Sequence, residues 1–257
     1  MNHFVFHMHF ISAVLLIVMA CLAGLIDTIA GGGSLITVPL LLAMGLPPVF
    51  ALGTSKFQSC IGELNACYHF FKSKRLDIKK IAYGIFFVAV GSIFGTVLIE
   101  FIHSTIARNI IPWLLLVVLI YTYFSPKLKL KSDLQKIPTH LFFIIFGLTI
   151  GFYNGFLGPG TGALWVCVLM FFLGFDLIKS SLHAKPLNMT GSFFSLILFS
   201  MGHHVFYIIG LMMAAGQLIG SRIGAQLILI NGAPIVRPIY LSIVTIMVFI
   251  LFYKMIF

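Results

Sequence analysis

"AGGGSLITVPLL", residues Ala30 to Leu41, sets three consecutive glycines inside a run apolar enough for a bilayer. Glycine costs a helix interior about 1 kcal/mol relative to alanine. A membrane helix carrying three in a row is expected to break there. The feature returns in the second half as "NGFLGPGT", Asn154 to Thr161. Each cluster precedes an apolar run, 34–46 or 161–175, that is short of the roughly 20 residues a spanning helix needs.

The surrounding chain explains why a bilayer is the right solvent. Its 257 residues are 60% hydrophobic and 9% charged, with a mean hydropathy of +1.12. A soluble domain of this size carries about a quarter charged residues, so the class is a polytopic α-helical membrane protein. Apolar runs fall at 10–29, 34–46, 50–71, 80–101, 108–124, 139–157, 161–175, 183–201, 205–226 and 235–253, and all but the two short ones are long enough to cross. The net charge of +10 does not point to nucleic acid. "KSKRLDIKK" (Lys72 to Lys80) holds five basic residues and "SPKLKLKSDLQKIP" (Ser125 to Pro138) four. Such basic loops between apolar runs mark the cytoplasmic face. Cys21, Cys60, Cys67 and Cys167 all lie in apolar runs without metal-ligand spacing, so core packing is expected of them. The basic-poor start, "MNHFVFHMHF", reads as the approach to a retained helix.

The two halves repeat. Gly24, Asp27, Gly31, Gly33 and Ser34 find like residues 127 positions on, at Gly151, Asn154, Gly158, Gly160 and Thr161. Lys56 pairs with Lys185, Gly91 and Gly95 with Gly216 and Gly220, and Pro112 with Pro238. The expected units are a first repeat over 1–124, a basic cytoplasmic linker over 125–138 and a second repeat over 139–257. The basic loop at 72–80 has as its counterpart "MGHHVF" (Met201 to Phe206), which has no Lys or Arg. Counting helices from the linker puts that loop outside, so the repeats are expected to be inverted, with both termini outside the cytoplasm.

In inverted-repeat transporters, broken helices at the repeat interface line the substrate site. A helix start offers unpaired N–H groups and the positive end of a dipole, which suits an anion. Ser34 and Thr161 are expected to cap the restarted helices. Close helix packing is the other reading of the glycines. Lys56, Ser59 and Glu63 share one helical face, as do Lys185, Asn188 and Ser192. Intramembrane ions of this kind line a cavity, or the two lysines snorkel to an interface. Asp27 and Asn154 are placed to bind loop N–H groups, and Glu63 either carries a coupling proton or pairs with Lys56. His69 and His183 read as interfacial, His203 and His204 as outer-loop residues, and Arg222 as lying near a cytoplasmic helix end. The expected substrate-binding set is Gly31, Gly32, Gly33, Ser34, Thr54, Lys56, Ser59, Gly158, Gly160, Thr161, Lys185 and Asn188. Asp27, Asn154 and Glu63 are the structural or coupling candidates.

"DTIAGGGSLITVPLL", "ALGTSKFQ", "GFYNGFLGPGTG", "AKPLN" and "GQLIGSRIGAQL" resemble the TauE/SafE sulfite exporter family, also called the 4-toluene sulfonate uptake permeases. The likeness runs from Gly24 to Phe252. It implies transport of small anions, often sulfur oxyanions or organosulfonates, across a bacterial inner membrane. Asn154 stands where the broad branch of that family often shows Asp, and "SKFQ" where "NKLQ" is common. The reading is therefore a multi-pass inner-membrane secondary transporter with a small anionic substrate, the lipid bilayer as its surroundings, and no cofactor, metal, nucleic-acid partner or catalytic residue. Homo-oligomerisation is left open. The rivals are a membrane scaffold or assembly factor and, more remotely, an intramembrane enzyme using Ser34 or Ser55 with a histidine. No G-x-S-x-G elbow supports the enzyme.

Overall fold

The computed structural model describes residues 10–102 and 135–231. They form eight α-helices, with no strand among the described residues: α1 (Phe10–Ala30), α2 (Ser34–Ala43), α3 (Pro48–Lys72), α4 (Ala82–Phe101), α5 (Thr139–Phe156), α6 (Thr161–Leu173), α7 (Leu177–Met201) and α8 (Tyr207–Asn231), plus a 3-10 turn at Ile78–Ile81. The expected runs 108–124 and 235–253, Pro112 and Pro238, both termini and most of the linker lie outside the described residues. Four of the helical stretches are both long and apolar enough to span: Ser12–Ile29, Ile78–Phe101, Thr139–Phe156 and Tyr207–Ile230. The chain is thus an all-α, polytopic membrane protein. Helices α3 and α7, 25 residues each, have the length but not the apolarity. Their polar faces turn inward, so neighbouring helices rather than lipid satisfy them.

The helices do break at the glycines. Helix α1 ends at Ala30 and α2 restarts at Ser34; α5 ends at Phe156 and α6 restarts at Thr161. Gly31 (φ +74°) and Gly158 (φ +91°) adopt left-handed backbone that other residues avoid. The restarted helices are short, 10 and 13 residues.

Core clusters show which ends meet. Leu16 and Ala20 of α1, Leu41 of α2, Ala51 of α3 and Ile209 of α8 pack together at one end. Ile29, Phe70, Leu76, Leu182 and Ile228 pack toward the other. Helices α1 and α2 thus form a hairpin that folds back toward the first end. Helix α5 instead delivers Phe156 and Leu157 to a cluster with Val49, Ile99, Phe199 and Val205. Helix α6 then returns to join Leu169 and Leu173 with Ile81 and Phe142. The 72–80 segment and Lys136, at the described end of the linker, share one end. Arg75 Nη1 donates to the Leu229 carbonyl (3.3 Å), and the Lys136 N–H to that of Phe172 (2.9 Å). His204 Nδ1 meets Glu100 Oε1 (3.0 Å) at the opposite end.

Small residues hold the outer pairs. Gly216 and Gly220 of α8 lie on the carbonyls of Ile17 and Cys21 in α1, and Gly91 and Gly95 of α4 on those of Leu148 and Phe152 in α5. For these glycines the close-packing reading holds. The contacts also correct the repeat register in α8. Gly91 faces Leu148 as Gly220, not Gly216, faces Cys21, and Gly95 faces Phe152 as Gly224 faces Leu25. The matching offset is therefore 129, the same as for Lys56 and Lys185. One helical turn separates it from the offset read by glycine spacing alone, and a G-x-x-x-G-x-x-x-G ladder permits either.

Candidate transport site

The two breaks meet inside the bundle. A side chain at Gly31 would run into the backbone of Gly162, the second residue of α6. Gly33 sits on the last turns of α1, where a Cβ would come within 2.6 Å of the Ala23 carbonyl and of Asp27 Cβ. Gly32 is different: a Cβ there would find only ordinary contact with Leu35 (3.5 Å) and Ile26 (3.8 Å). The cap expectation needs correction. Gly33 and Gly160 occupy the N-cap positions, without side-chain caps, and Ser34 and Thr161 are the first helical residues. The Thr161 hydroxyl instead donates to the Gly158 carbonyl, tightening the loop. Tyr153, at the end of α5, braces the same loop by donating its hydroxyl to the Pro159 carbonyl (2.7 Å).

Each buried lysine reaches into the other half. Lys56, on α3, donates through Nζ to the main-chain carbonyl of Asn154 (2.7 Å) and to its side-chain oxygen. Lys185, on α7, donates to the main-chain carbonyl of Asp27 and pairs with its carboxylate at 2.8 Å. The lysines are 5% and 3% exposed, so neither snorkels. Both ammonium groups sit against the C-terminal carbonyls of a broken helix, where its dipole is negative. The Asp27 carboxylate also accepts the Gly33 N–H (3.4 Å), the loop-binding role expected of it. Gly158 leaves room for the Lys56 head, since a Cβ there would lie 2.5 Å from Nζ.

From Lys56 the polar contacts continue. Asn154 Nδ2 donates to the main-chain and side-chain oxygens of Asn188 (3.2 and 3.1 Å), and Asn188 Nδ2 donates to Glu63 Oε1. Asp27 and Lys185 also line a cavity with room for about one water, together with Thr28, Gly31, Gly162 and Ser181.

The remaining expected residues divide. Ser59 joins a neighbouring network in which Gln58 Nε2 donates to Ser59 Oγ (3.0 Å) and Thr37 Oγ1 (3.3 Å), while the Thr37 and Ser55 hydroxyls lie 2.8 Å apart. Thr54 lies apart from the lysines and accepts the Phe206 N–H (3.0 Å). His183 is buried against Phe175 near the start of α7, within electrostatic reach of Asp77 and Lys80. Sequence reasoning missed Thr37, Gln58, Tyr153 and Gly191, the last giving Asn154 its space. Gln58, in "SKFQ", was the one of these with a visible signal, a polar residue inside an apolar run.

Broken helices meeting around buried, mutually engaged ions define a helical membrane permease, and the comparisons agree. Residues 16–251 match the profile described as sulfite exporter TauE/SafE, and the chain belongs to that family. It is 37% identical to a probable membrane transporter protein of Haemophilus influenzae over 95% of each chain. It is 35% identical to the probable membrane transporter protein YfcA of Escherichia coli, over 89% of this chain and 85% of that one. A probable membrane transporter protein of a Sinorhizobium species is 30% identical over 87% and 86%. No solved structure matches it significantly.

Proposed function

We propose that this membrane transporter is a secondary permease for a small anion, a sulfur oxyanion or an organosulfonate, in the bacterial inner membrane. The observation that carries the reading is the pair of buried lysines held at the two helix breaks. The N-termini of α2 and α6 add the positive ends of two helix dipoles, with the N–H groups of Leu35, Ile36 and Thr161 already bonded to the carbonyls of Gly32, Gly33 and Gly158. An anion arriving there competes with the Asn154 and Asp27 carbonyls for the ammonium groups, loosening one half from the other. Movement between the halves follows from binding, because the same lysines serve both contacts.

An inverted pair of repeats fits this cycle. The placing of the 72–80 segment and Lys136 at one end, with hairpins α1–α2 and α5–α6 opening to opposite ends, supports that arrangement. Cysteines introduced at Lys74 and His203 on a cysteine-free background test it: the second is labelled from the periplasm and the first only from the cytoplasm. The substrate is tested by thermal shift of purified protein against sulfite, sulfate, thiosulfate, sulfonates and carboxylates, followed by flux in proteoliposomes. Stabilisation by a sulfur anion, with flux of the same compound, is the expected result. Absence of flux for every compound would favour an assembly role instead.

A further inference from the structure

The two lysines do not have equal partners. Lys185 has a carboxylate against it, with both Asp27 oxygens engaged: Oδ2 by Nζ and Oδ1 by the Gly33 N–H. Lys56 has only neutral oxygens, from Asn154. The counter-charge for Lys56 is Glu63, 1% exposed and two amides away. The relay runs one way, from ammonium to Asn154, to Asn188, to carboxyl. Reversing either amide would set an NH2 group against the ammonium or an oxygen against the carboxylate. Glu63 accepts from Asn188 through Oε1, with the Ser192 hydroxyl close to the carboxyl, and its buried Oε2 has no hydrogen-bond partner among the described residues.

We propose that Glu63 is the proton-coupling group of this transport site, taking one proton on Oε2 for each monoanion bound at Lys56. The proposal rests on the anion-permease reading above and deepens it. With all four ions charged, Lys56 and Lys185 balance Asp27 and Glu63. A monoanion at Lys56 leaves Glu63 as an uncompensated buried carboxylate, a costly state. Adding a proton converts that carboxylate to a carboxylic acid, and the charge of the cluster returns to zero. The Asn188 N–H can donate to Oε1 in either form, so the relay survives the change. The groups facing Glu63 are Asp27 from α1, Lys185 with neutral Asn188 and Ser192 from α7, and Lys56, Cys60 and Cys67 on its own helix. Helix α8 brings neutral Gln217 against Gly62, and its Arg222 is exposed. Of the two carboxyls, only Glu63 has an oxygen free for a proton.

Calorimetry with methanesulfonate, a monoanion at any pH the protein tolerates, tests this in buffers of differing ionisation enthalpy. The wild type is expected to take up about one proton per anion, its affinity rising about tenfold per pH unit of acidification over the range where Glu63 starts ionised. Glu63→Gln should bind with no proton uptake and no pH dependence, while Glu63→Asp should retain uptake. Binding by the wild type without proton uptake overturns the proposal and leaves the anion reading standing, as does uptake that persists in Glu63→Gln. A wild type that binds none of methanesulfonate, sulfite, sulfate, thiosulfate and small carboxylates overturns the anion reading, and infrared spectra then decide on Glu63. A protonated-carboxyl band that appears on acidification, vanishes in Glu63→Gln and shifts in Glu63→Asp assigns the proton to that residue. Its absence from the wild type overturns the assignment.

Discussion

The clamp between Lys185 and Asp27 and the clamp between Lys56 and Asn154 share one geometry and differ in one group. In both, a lysine from the third helix of one half binds the carbonyl that ends the first helix of the other. In the first the partner side chain is a carboxylate; in the second it is an amide. A buried ion pair made of direct partners is a structural lock, because removing either ion strands the other. A buried ammonium held by neutral oxygens keeps its positive charge available. The two halves therefore differ in kind: Lys185 sits in a direct ion pair, and Lys56 is the ammonium that the proposed anion would use.

The largest expected effect breaks that comparison if it fails. Lys185→Gln leaves the Asp27 carboxylate buried and unpaired, at a cost of about 3–5 kcal/mol. Thermal unfolding in detergent should show a large drop in Tm, beyond that of Lys56→Gln, where Glu63 can take a proton on its unpartnered oxygen instead of standing uncompensated. Equal losses in the two variants would remove the distinction. Lys56→Gln should act on affinity instead. A hydrogen bond to a charged group contributes about 1.5–3 kcal/mol, so anion binding measured by calorimetry should weaken about ten- to a hundredfold.

The glycines of the first break sharpen the same contrast at smaller magnitude. Gly31→Ala meets left-handed backbone and the Gly162 main chain together. The handedness alone costs about 1–2 kcal/mol, visible as a lower Tm without any ligand. Gly32→Ala has room for its methyl group and should change stability by less than about 0.5 kcal/mol. Any loss of anion affinity in Gly32→Ala, and a larger one in Gly32→Val, then reports close approach of a ligand to the break. Unchanged affinity in both would place the anion away from Gly32 and nearer Lys56.

Much of this was legible in the chain because membrane proteins obey harsh local rules. Three glycines before Ser34 and the "GPG" before Thr161 announced breaks, since no neighbouring residue makes left-handed backbone cheap in a helix. Lys56 and Lys185 stood out because ions in apolar runs are rare. Local patterns also misled. Ser34 and Thr161 looked like caps by residue type, yet the glycines before them take that position. The Gly216–Gly220–Gly224 ladder offered two registers, and only contact with α1 chose between them.

The amino-acid sequence by itself determined an all-helical membrane chain, two helix breaks, their short restarts and the buried polar faces of α3 and α7. All follow from hydropathy, glycine conformation and helical period, which act within a few residues. Tertiary structure alone decided that Lys56 crosses to Asn154 and Lys185 to Asp27, over 98 and 158 residues. It alone decided that Glu63 answers Lys56 through two amides. Those choices depend on which helix end each ammonium finds inside the packed bundle. A buried charge must be met by whatever oxygen the fold brings to it, and no local pattern encodes which one that is.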